Sequence, residues 1–232
     1  MIHPNERVPT LTPGEAKSFY DRFGSKQDRQ TFYEAAALEQ LVASSSFANA
    51  RSVFEFGCGT GRVALGLLEH HLRPDAVYRG TDISTTMVEL ATARLAPFGD
   101  RAAVTLASGK IAFPLQDRSV DRVLSTYVLD LLSCPAVHAF LAEARRVLQP
   151  GGLLCLVGIT HGTTPLARIV MGAWQWLFVQ KPHWVGGCRP TRFAEHLAPA
   201  EWKIRFRTVT VAWGIASEVV VASRSDAEDS AL

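Results

Sequence analysis

Two apolar periodicities alternate along the chain and predict an α/β fold. Short apolar runs typical of strands occupy 52–56, 77–81, 103–107, 120–126 and 153–159. Apolar residues at helical spacing occupy about 28–44, 61–70 and 135–148, and a further helix begins after Ser84. Two final strands, 202–212 and 216–222, flank Gly214 and indicate an antiparallel hairpin. Repeated strand–helix units predict a parallel sheet with helices on both faces.

Composition adds few constraints. The 232 residues, 47% hydrophobic and 20% charged, suit one globular domain with a sizeable core. A net charge of +2 and the absence of a basic stripe with interleaved aromatics argue against a nucleic-acid partner. The four scattered cysteines form no C-x-x-C pair, so free thiols and no metal site are expected. The polar N-terminus MIHPNER lacks an apolar signal core, which favours a cytoplasmic protein.

The segment SVFEFGCGTG, residues 52–61, carries the strongest chemical signal. Gly57, Gly59 and Gly61 allow a sharp turn and a close approach to a ligand, because glycine has no Cβ. The spacing G-x-G-x-G differs from the G-x-G-x-x-G of nicotinamide-binding folds. Glu55 places a carboxylate beside the turn, which suits a ligand with a cationic amine, such as S-adenosylmethionine, better than a pyrophosphate.

Asp82 is a second candidate binding residue. It ends the second predicted strand, at the position where an acid reaches ribose hydroxyls in nucleotide-binding sheets. The alternative is that Asp82 caps the following helix, although Ser84 is the better cap.

Four segments together resemble class I S-adenosylmethionine-dependent methyltransferases, namely EFGCGTG, GTDIS, VDRVLSTYVLDLL and LQPGG. The resemblance is closest to the small-molecule branch that includes ubiquinone and menaquinone biosynthesis enzymes. The resemblance implies a Rossmann-like sheet of seven strands, mostly parallel with an antiparallel final strand. It implies that Glu55 and the glycine loop hold the methionine part of the cofactor, that Asp82 holds the ribose, and that Ile83 packs on the adenine. SFYDRFG then resembles a cofactor-covering helix, with Tyr20 and Phe23 as contacts or as ordinary helix packing.

The same resemblance suggests a division of the chain. Cofactor-covering helices would occupy 1–46 and the methyltransferase domain 47–223. A substrate-side insertion would lie at 160–195. Independently of the resemblance, the polar composition of 224–232 predicts a mobile tail.

One position departs from the family pattern. Gly109 and Lys110 stand where the family usually has Gly-Asp, whose carboxylate accepts a hydrogen bond from the adenine amino group. Lysine offers only donors, so Ser108 or a backbone carbonyl would have to replace that contact. The backbone N–H of Ile111 remains available for adenine.

Tyr127 and Asp130 follow the fourth strand, where the family places residues that face the transferred methyl group. His161, just past the fifth strand, is the best placed candidate for a general base, or it is a solvent-facing loop histidine. A base is needed only if the acceptor must lose a proton. His138 is expected at the surface, and His183 is a further pocket candidate.

Residues 164–192 are the most individual part of the sequence. PLARIVMGAWQWLFVQK is apolar almost all round, which is typical of a helix that is buried or faces lipid. Trp174, Trp176 and Phe178 can wall an acceptor pocket, form core or dimer packing, or make a peripheral membrane contact through 165–180.

The leading hypothesis is therefore an S-adenosylmethionine-dependent methyltransferase for a small, apolar acceptor. The alternative is a non-catalytic protein that keeps the cofactor-binding fold, motivated by Lys110. A nicotinamide-dependent oxidoreductase is disfavoured by the glycine spacing. The sequence leaves open which atom accepts the methyl group and how many subunits assemble.

Overall fold

The computed structural model describes residues 10–225, so most of the predicted tail lies outside the described residues. Seven strands form one sheet in the order β3-β2-β1-β4-β5-β7-β6, with β7 antiparallel to both of its neighbours. The strands are β1 Ser52–Phe56, β2 Val77–Asp82, β3 Ala102–Leu106, β4 Val120–Thr126, β5 Leu148–Ile159, β6 Trp202–Ala212 and β7 Ile215–Arg224. The predicted fold class, with its antiparallel final strand, is confirmed.

Six α-helices accompany this sheet within residues 10–225. They are α1 Pro13–Phe23, α2 Thr31–Ser44, α3 Arg62–His70, α4 Thr85–Leu95, α5 Cys134–Val147 and α6 Pro165–Gln180. One face of the sheet packs against α2, α3 and α4, and the other packs against α5. Alternation along β1 feeds both cores, because Val53 faces the first and Phe54 the second. The switch between β1 and β4 opens a crevice at the carboxyl ends of the strands, where such sheets bind ligands.

The fifth strand begins earlier than its apolar run predicts. Pro150-Gly151-Gly152 was expected to separate the preceding helix from a strand at 153–159. Instead, β5 starts at Leu148, which pairs with Val120, and the pairing resumes at Leu153 after a register shift. Gly151, at φ +75°, forms an irregularity inside the strand, a conformation that glycine adopts without a Cβ clash.

The N-terminal segment divides into two structurally different parts. Helix α1 has no buried residue and lies over the carboxyl end of the sheet beside α4. A 3-10 turn, Gly24–Gln30, joins it to α2. We call α1 with this turn the N-terminal cover, residues 13–30. By contrast, α2 buries Ala37 and Leu41 against the sheet. A cofactor-covering role for the segment 1–46 stays a prediction.

Helix α6 packs at the end of β5 and the start of β7. Met171 is buried against Ile159 and Ala216, whereas much of the opposite side of α6 is exposed. The three aromatic residues of this helix have different environments: Phe178 is fully buried, Trp174 is partly buried, and Trp176 is exposed. Across residues 10–225, no helix is long and apolar enough to cross a membrane.

Candidate functional site

A cavity of about 310 Å³ occupies the crevice beside β1. Its floor comes from the ends of β1 and β2 and from the loops after β3 and β4, and the N-terminal cover closes one side. Its wall contains six of the predicted cofactor-binding residues and one predicted catalytic residue, namely Tyr20, Gly57, Asp82, Ile83, Gly109 and Ile111, and Tyr127. Residues far apart in sequence therefore converge on one concave site, the usual form of a small-molecule pocket.

The glycine loop turns sharply through left-handed backbone at Gly57, Gly59 and Gly61, whose φ angles are +76°, +52° and +75°. The N–H groups of Gly57 and Cys58 donate to the carbonyl of Thr81, at 2.8 and 3.0 Å, and tie the loop to β2. Only Gly57 of the three glycines lines the cavity. Gly61 is the N-cap of α3, and a Cβ added to it would stand 3.0 Å from the Cα of Ala91 in α4. Its predicted role in holding the cofactor stays a prediction.

Asp82 joins two binding segments from the cavity wall. Its Oδ2 accepts a hydrogen bond from the N–H of Gly59 at 2.9 Å, and its Oδ1 accepts from the N–H of Ser84 at 2.9 Å. Each carboxylate oxygen has a second lone pair, so the group can also accept from a ligand hydroxyl. Ser84 Oγ in turn caps α4 by accepting from Met87 N–H, as the sequence predicted. Burial raises the pKa of Asp82, and the backbone donors of Ser84 and Gly59 oppose that rise.

Glu55 lies beneath the glycine loop and does not line the cavity. Its Oε2 accepts a hydrogen bond from the Tyr78 hydroxyl at 2.5 Å, while its Oε1 is buried with no partner among residues 10–225. Burial raises the pKa of Glu55 to about 7, although the Tyr78 hydrogen bond acts in the opposite direction. Direct contact of Glu55 with the methionine part of a cofactor stays a prediction.

The predicted adenine end of the cavity has the unusual composition foreseen in the sequence. Ile83, Gly109 and Ile111 line it, and Lys110 is exposed at its edge. Among the described lining residues, Asp82 is the only acid and Lys110 the only base. No carboxylate is therefore available here for the adenine amino group beyond Asp82.

Tyr127 lies in the cavity wall in a strained conformation. Its φ of +56° is unusual for a residue with a Cβ, and such strain is often found at functional sites. The Tyr127 hydroxyl is 2.9 Å from Ser217 Oγ, and its ring lies edge-on to Tyr33 at a centroid distance of 5.7 Å.

Asp130 and His161, the other two predicted catalytic residues, lie outside the cavity wall. Asp130 is fully buried, and its Oδ2 accepts from the N–H of Ile159 at 3.2 Å. Burial raises the pKa of Asp130 to about 7, against the effect of the nearby Arg189 guanidinium. His161 is partly buried, and burial together with the charge of Arg192 lowers the pKa of its imidazole. Its role as a base stays a prediction.

The insertion, residues 160–195, stands behind the cavity wall and contributes no residue to its lining. The Tyr20 hydroxyl donates to the carbonyl of Gly186 at 3.4 Å, which joins the N-terminal cover to the insertion. Trp174 Nε1 donates to the carbonyl of Cys188 at 2.9 Å and fixes the loop after α6.

The remaining candidate residues lie away from the cavity. The ring of Phe23 stacks on that of Phe19 at a centroid distance of 5.5 Å, outside the cavity lining. His183 is exposed, and the ring of His138 lies 5.6 Å from that of His196.

Sequence reasoning missed the polar residues that fix the N-terminal cover. Asp21 accepts from Ser84 Oγ at 2.7 Å, and Asp28 pairs with Arg94 at 2.7 Å. Gln27, between them, lines the cavity. Gln27 and Asp28 lie in the run GSKQDRQ, which has no apolar periodicity, so no pattern distinguished their side chains from solvated ones.

The site fits a ligand with a cationic amino group. Two acceptor oxygens near the glycine loop, Gln27 Oε1 and Glu55 Oε1, are buried without a partner in the described part of the chain, and Asp130 Oδ1 is a third beside Tyr127. Of these three residues only Gln27 lines the cavity, and a buried acceptor without a partner at that position indicates a donor supplied by a ligand. An α-ammonium group supplies a donor of this kind, and ribose binding by Asp82 stays a prediction.

Known proteins resemble this chain in sequence. A family model described as a methyltransferase domain matches residues 53–152. The demethylmenaquinone methyltransferase of Tropheryma whipplei is 33% identical over 169 residues, which are 69% of this chain and 65% of the relative. The tRNA N(3)-methylcytidine methyltransferase Mettl2 of Drosophila melanogaster is 30% identical over 155 residues, covering 64% of this chain and 48% of the relative. The chain therefore spans about half the length of the Drosophila relative and about two thirds of the Tropheryma one.

Solved structures show the same fold. The [4+2]-cyclase SpnF superposes with a TM-score of 0.70 at 16% identity, covering 93% of this chain and 97% of that one. The geranyl diphosphate C-methyltransferase of Streptomyces coelicolor A3(2), solved with S-adenosyl-L-homocysteine, gives a TM-score of 0.62 at 12% identity. That match covers 83% of this chain and 79% of that one.

Proposed function

The chain belongs to the class I S-adenosylmethionine-dependent methyltransferases, and on that basis we propose that it transfers a methyl group to a small, apolar acceptor. S-adenosylmethionine is the cofactor of this family, and when bound it supplies a methyl group activated on a sulfonium. Asp82, Ile83 and the glycine loop would hold the cofactor. The chain's own task is to align donor and acceptor and to exclude water.

The composition of the cavity wall beyond Tyr127 supports an apolar acceptor. The residues that line this part of the wall are mainly apolar, namely Leu11, Val128, Leu131, Leu132 and Ala136. An apolar wall binds an apolar acceptor by removing its surface from water. Tyr127 is the polar group in that wall best placed to orient a reacting atom, because Ser217 fixes its hydroxyl. Asp130, buried behind the wall, would act by positioning the end of β5.

We expect the purified protein to transfer radiolabelled methyl from S-adenosylmethionine to at least one member of a panel of small apolar alcohols, amines and carbon nucleophiles. Tyr127→Phe should lower kcat about tenfold, the effect of losing one hydrogen bond of about 1.4 kcal/mol in the transition state, with unchanged affinity for S-adenosylhomocysteine. Tyr33→Phe is the matched control, because Tyr33 packs against Tyr127 without lining the cavity.

The alternative, a non-catalytic cofactor-binding protein, predicts a different result. Calorimetry would then show S-adenosylmethionine binding, while no acceptor of the panel would gain label. Transfer only to strongly polar acceptors would retain the enzyme and contradict the apolar acceptor class.

Helix α6 and the β6–β7 turn present an exposed apolar surface. The exposed side of α6 carries Ile169 and Trp176, which are 72% and 63% exposed. Trp213, 81% exposed, stands at the β6–β7 turn, whose next residue, Gly214, lies against Val170 of α6. We call Leu166, Ile169, Trp176 and Trp213 the α6 patch. An exposed apolar patch of this kind marks an interaction site.

We propose that the α6 patch rests on an anionic lipid surface. Residues 144–194 contain no aspartate or glutamate, whereas Arg168 and Lys181 stand on or beside the helix. The Lys181 ammonium lies 4.5 Å from the ring centroid of Trp184, another exposed tryptophan. Exposed tryptophans next to cations and without acids match the chemistry of the membrane interface.

The protein should therefore float with vesicles of phosphatidylcholine and phosphatidylglycerol more than with vesicles of phosphatidylcholine alone. The double variant Ile169→Ser/Trp176→Ser should lose this binding, because it removes two exposed apolar side chains without disturbing the core. Phe32→Ser, an exposed apolar residue on α2, is the matched control. Equal flotation of both variants, or a wild-type dimer that the double variant disrupts in the absence of lipid, would contradict the lipid proposal.

A further inference from the structure

The 3-10 turn of the N-terminal cover is fixed directly over the glycine loop. Asp28 Oδ1 accepts a hydrogen bond from Thr60 Oγ1 at 2.6 Å, and Asp28 Oδ2 pairs with Arg94 at 2.7 Å. Arg94 also donates to the carbonyl of Thr60 at 3.0 Å. These contacts hold the turn on the loop even though the turn itself has no buried residue.

Gln27 of this turn points its amide at the loop. A Cβ added to Gly59 would stand 2.9 Å from Gln27 Oε1 and 3.1 Å from Gln27 Nε2, so the amide lies in the space that the glycine leaves free. Gln27 also lines the cavity. Its Oε1 is buried, and the described residues offer it no hydrogen-bond donor. An unpaired buried acceptor that faces a cavity indicates that a ligand supplies the donor.

We infer that the Gln27 amide binds the amino acid end of S-adenosylmethionine, with Oε1 accepting a hydrogen bond from the α-ammonium group. The inference rests on the proposed function for the identity of the ligand. Glu55 Oε1, beneath the same loop, is a second buried acceptor that has no donor among residues 10–225. Gln27 is thus the residue through which the N-terminal cover contacts the bound cofactor.

The test compares two ligands that differ only at this end. S-adenosylhomocysteine carries the amino acid, whereas 5′-methylthioadenosine keeps the nucleoside and the thioether but lacks it. In calorimetry, Gln27→Ala should weaken S-adenosylhomocysteine binding about tenfold, the loss expected for one hydrogen bond to a charged group, and leave methylthioadenosine binding unchanged. Gln27→Glu, which keeps an acceptor, should bind S-adenosylhomocysteine as well as the wild type does. Lys26→Ala, an exposed neighbour on the same turn, is the control for a general effect on the cover.

Three outcomes would overturn the inference. Equal weakening of both ligands in Gln27→Ala would show that Gln27 only supports the cover, and unchanged binding of both would show that it makes no contact. Each of these leaves the cofactor assignment intact, because the wild type still binds. A wild type that binds neither ligand would overturn the proposed function together with this inference.

Discussion

Asp82→Ala should lower the affinity for S-adenosylhomocysteine at least tenfold and lower the free energy of unfolding by about 2–4 kcal/mol. The change removes the acceptor of two buried backbone donors, the N–H groups of Gly59 and Ser84, and leaves them unpaired. It also removes the only acid in the described cavity lining. Calorimetric titration and urea unfolding measure the two effects.

Asp121→Ala is the matched control for this prediction. Asp121 also accepts backbone hydrogen bonds, from Arg51 and Ser52 at 2.8 and 3.0 Å, but it lies at the opposite end of the sheet. Its loss should lower stability and leave the affinity of the folded protein for S-adenosylhomocysteine unchanged. If Asp82→Ala behaves in the same way, Asp82 has only a structural role and does not bind the ribose.

Gly61→Ala should lower the free energy of unfolding by about 2–4 kcal/mol, since it combines left-handed strain with overpacking. Gly61 has φ +75°, and a Cβ there would stand 3.0 Å from the Cα of Ala91. The backbone of α4 at Ala91, which is buried, cannot move aside as a flexible side chain can, so α3 and α4 would have to separate. Urea or thermal unfolding followed by circular dichroism measures the loss.

Gly66→Ala, within α3, should have the opposite effect on stability. Gly66 has ordinary helical backbone and no heavy atom within 4 Å of the position of an added Cβ. Alanine there should raise stability by about 0.5–1 kcal/mol, because it loses less backbone entropy on folding. A Gly61→Ala variant as stable as Gly66→Ala would contradict the proposed packing of α3 on α4.

Local signals in the sequence account for much of the agreement between prediction and structure. The Thr12–Glu15 capping box, in which Thr12 N–H donates to Glu15 Oε2 at 2.8 Å, joins partners only three residues apart. The glycine loop and the cap at Ser84 have the same short range. Period and residue type determine such features before any tertiary contact forms.

The positions of individual site residues depended on distant neighbours. Glu55 accepts a hydrogen bond from Tyr78, for which Gly80 leaves room. The Tyr78 hydroxyl oxygen stands 2.7 Å from the position that a Cβ at residue 80 would take. His161 follows β5 as predicted, yet the insertion places it beside Arg192, away from the cavity. Neither outcome has a local pattern in the sequence.

Helix α6 and Gln27 show the same difference between what local sequence patterns indicate and what tertiary contacts decide. The sequence showed that α6 is apolar on nearly every side, but burial of Phe178 and exposure of Trp176 follow from which side meets β5 and β7. The sequence also indicated a binding loop at Gly57–Gly61, whereas the approach of Gln27 to that loop requires the cover to fold over it. The positions of helices, strands, caps and turns along the chain arise from local chemistry and periodicity, while the partners of a side chain are selected by contacts between segments far apart in the chain.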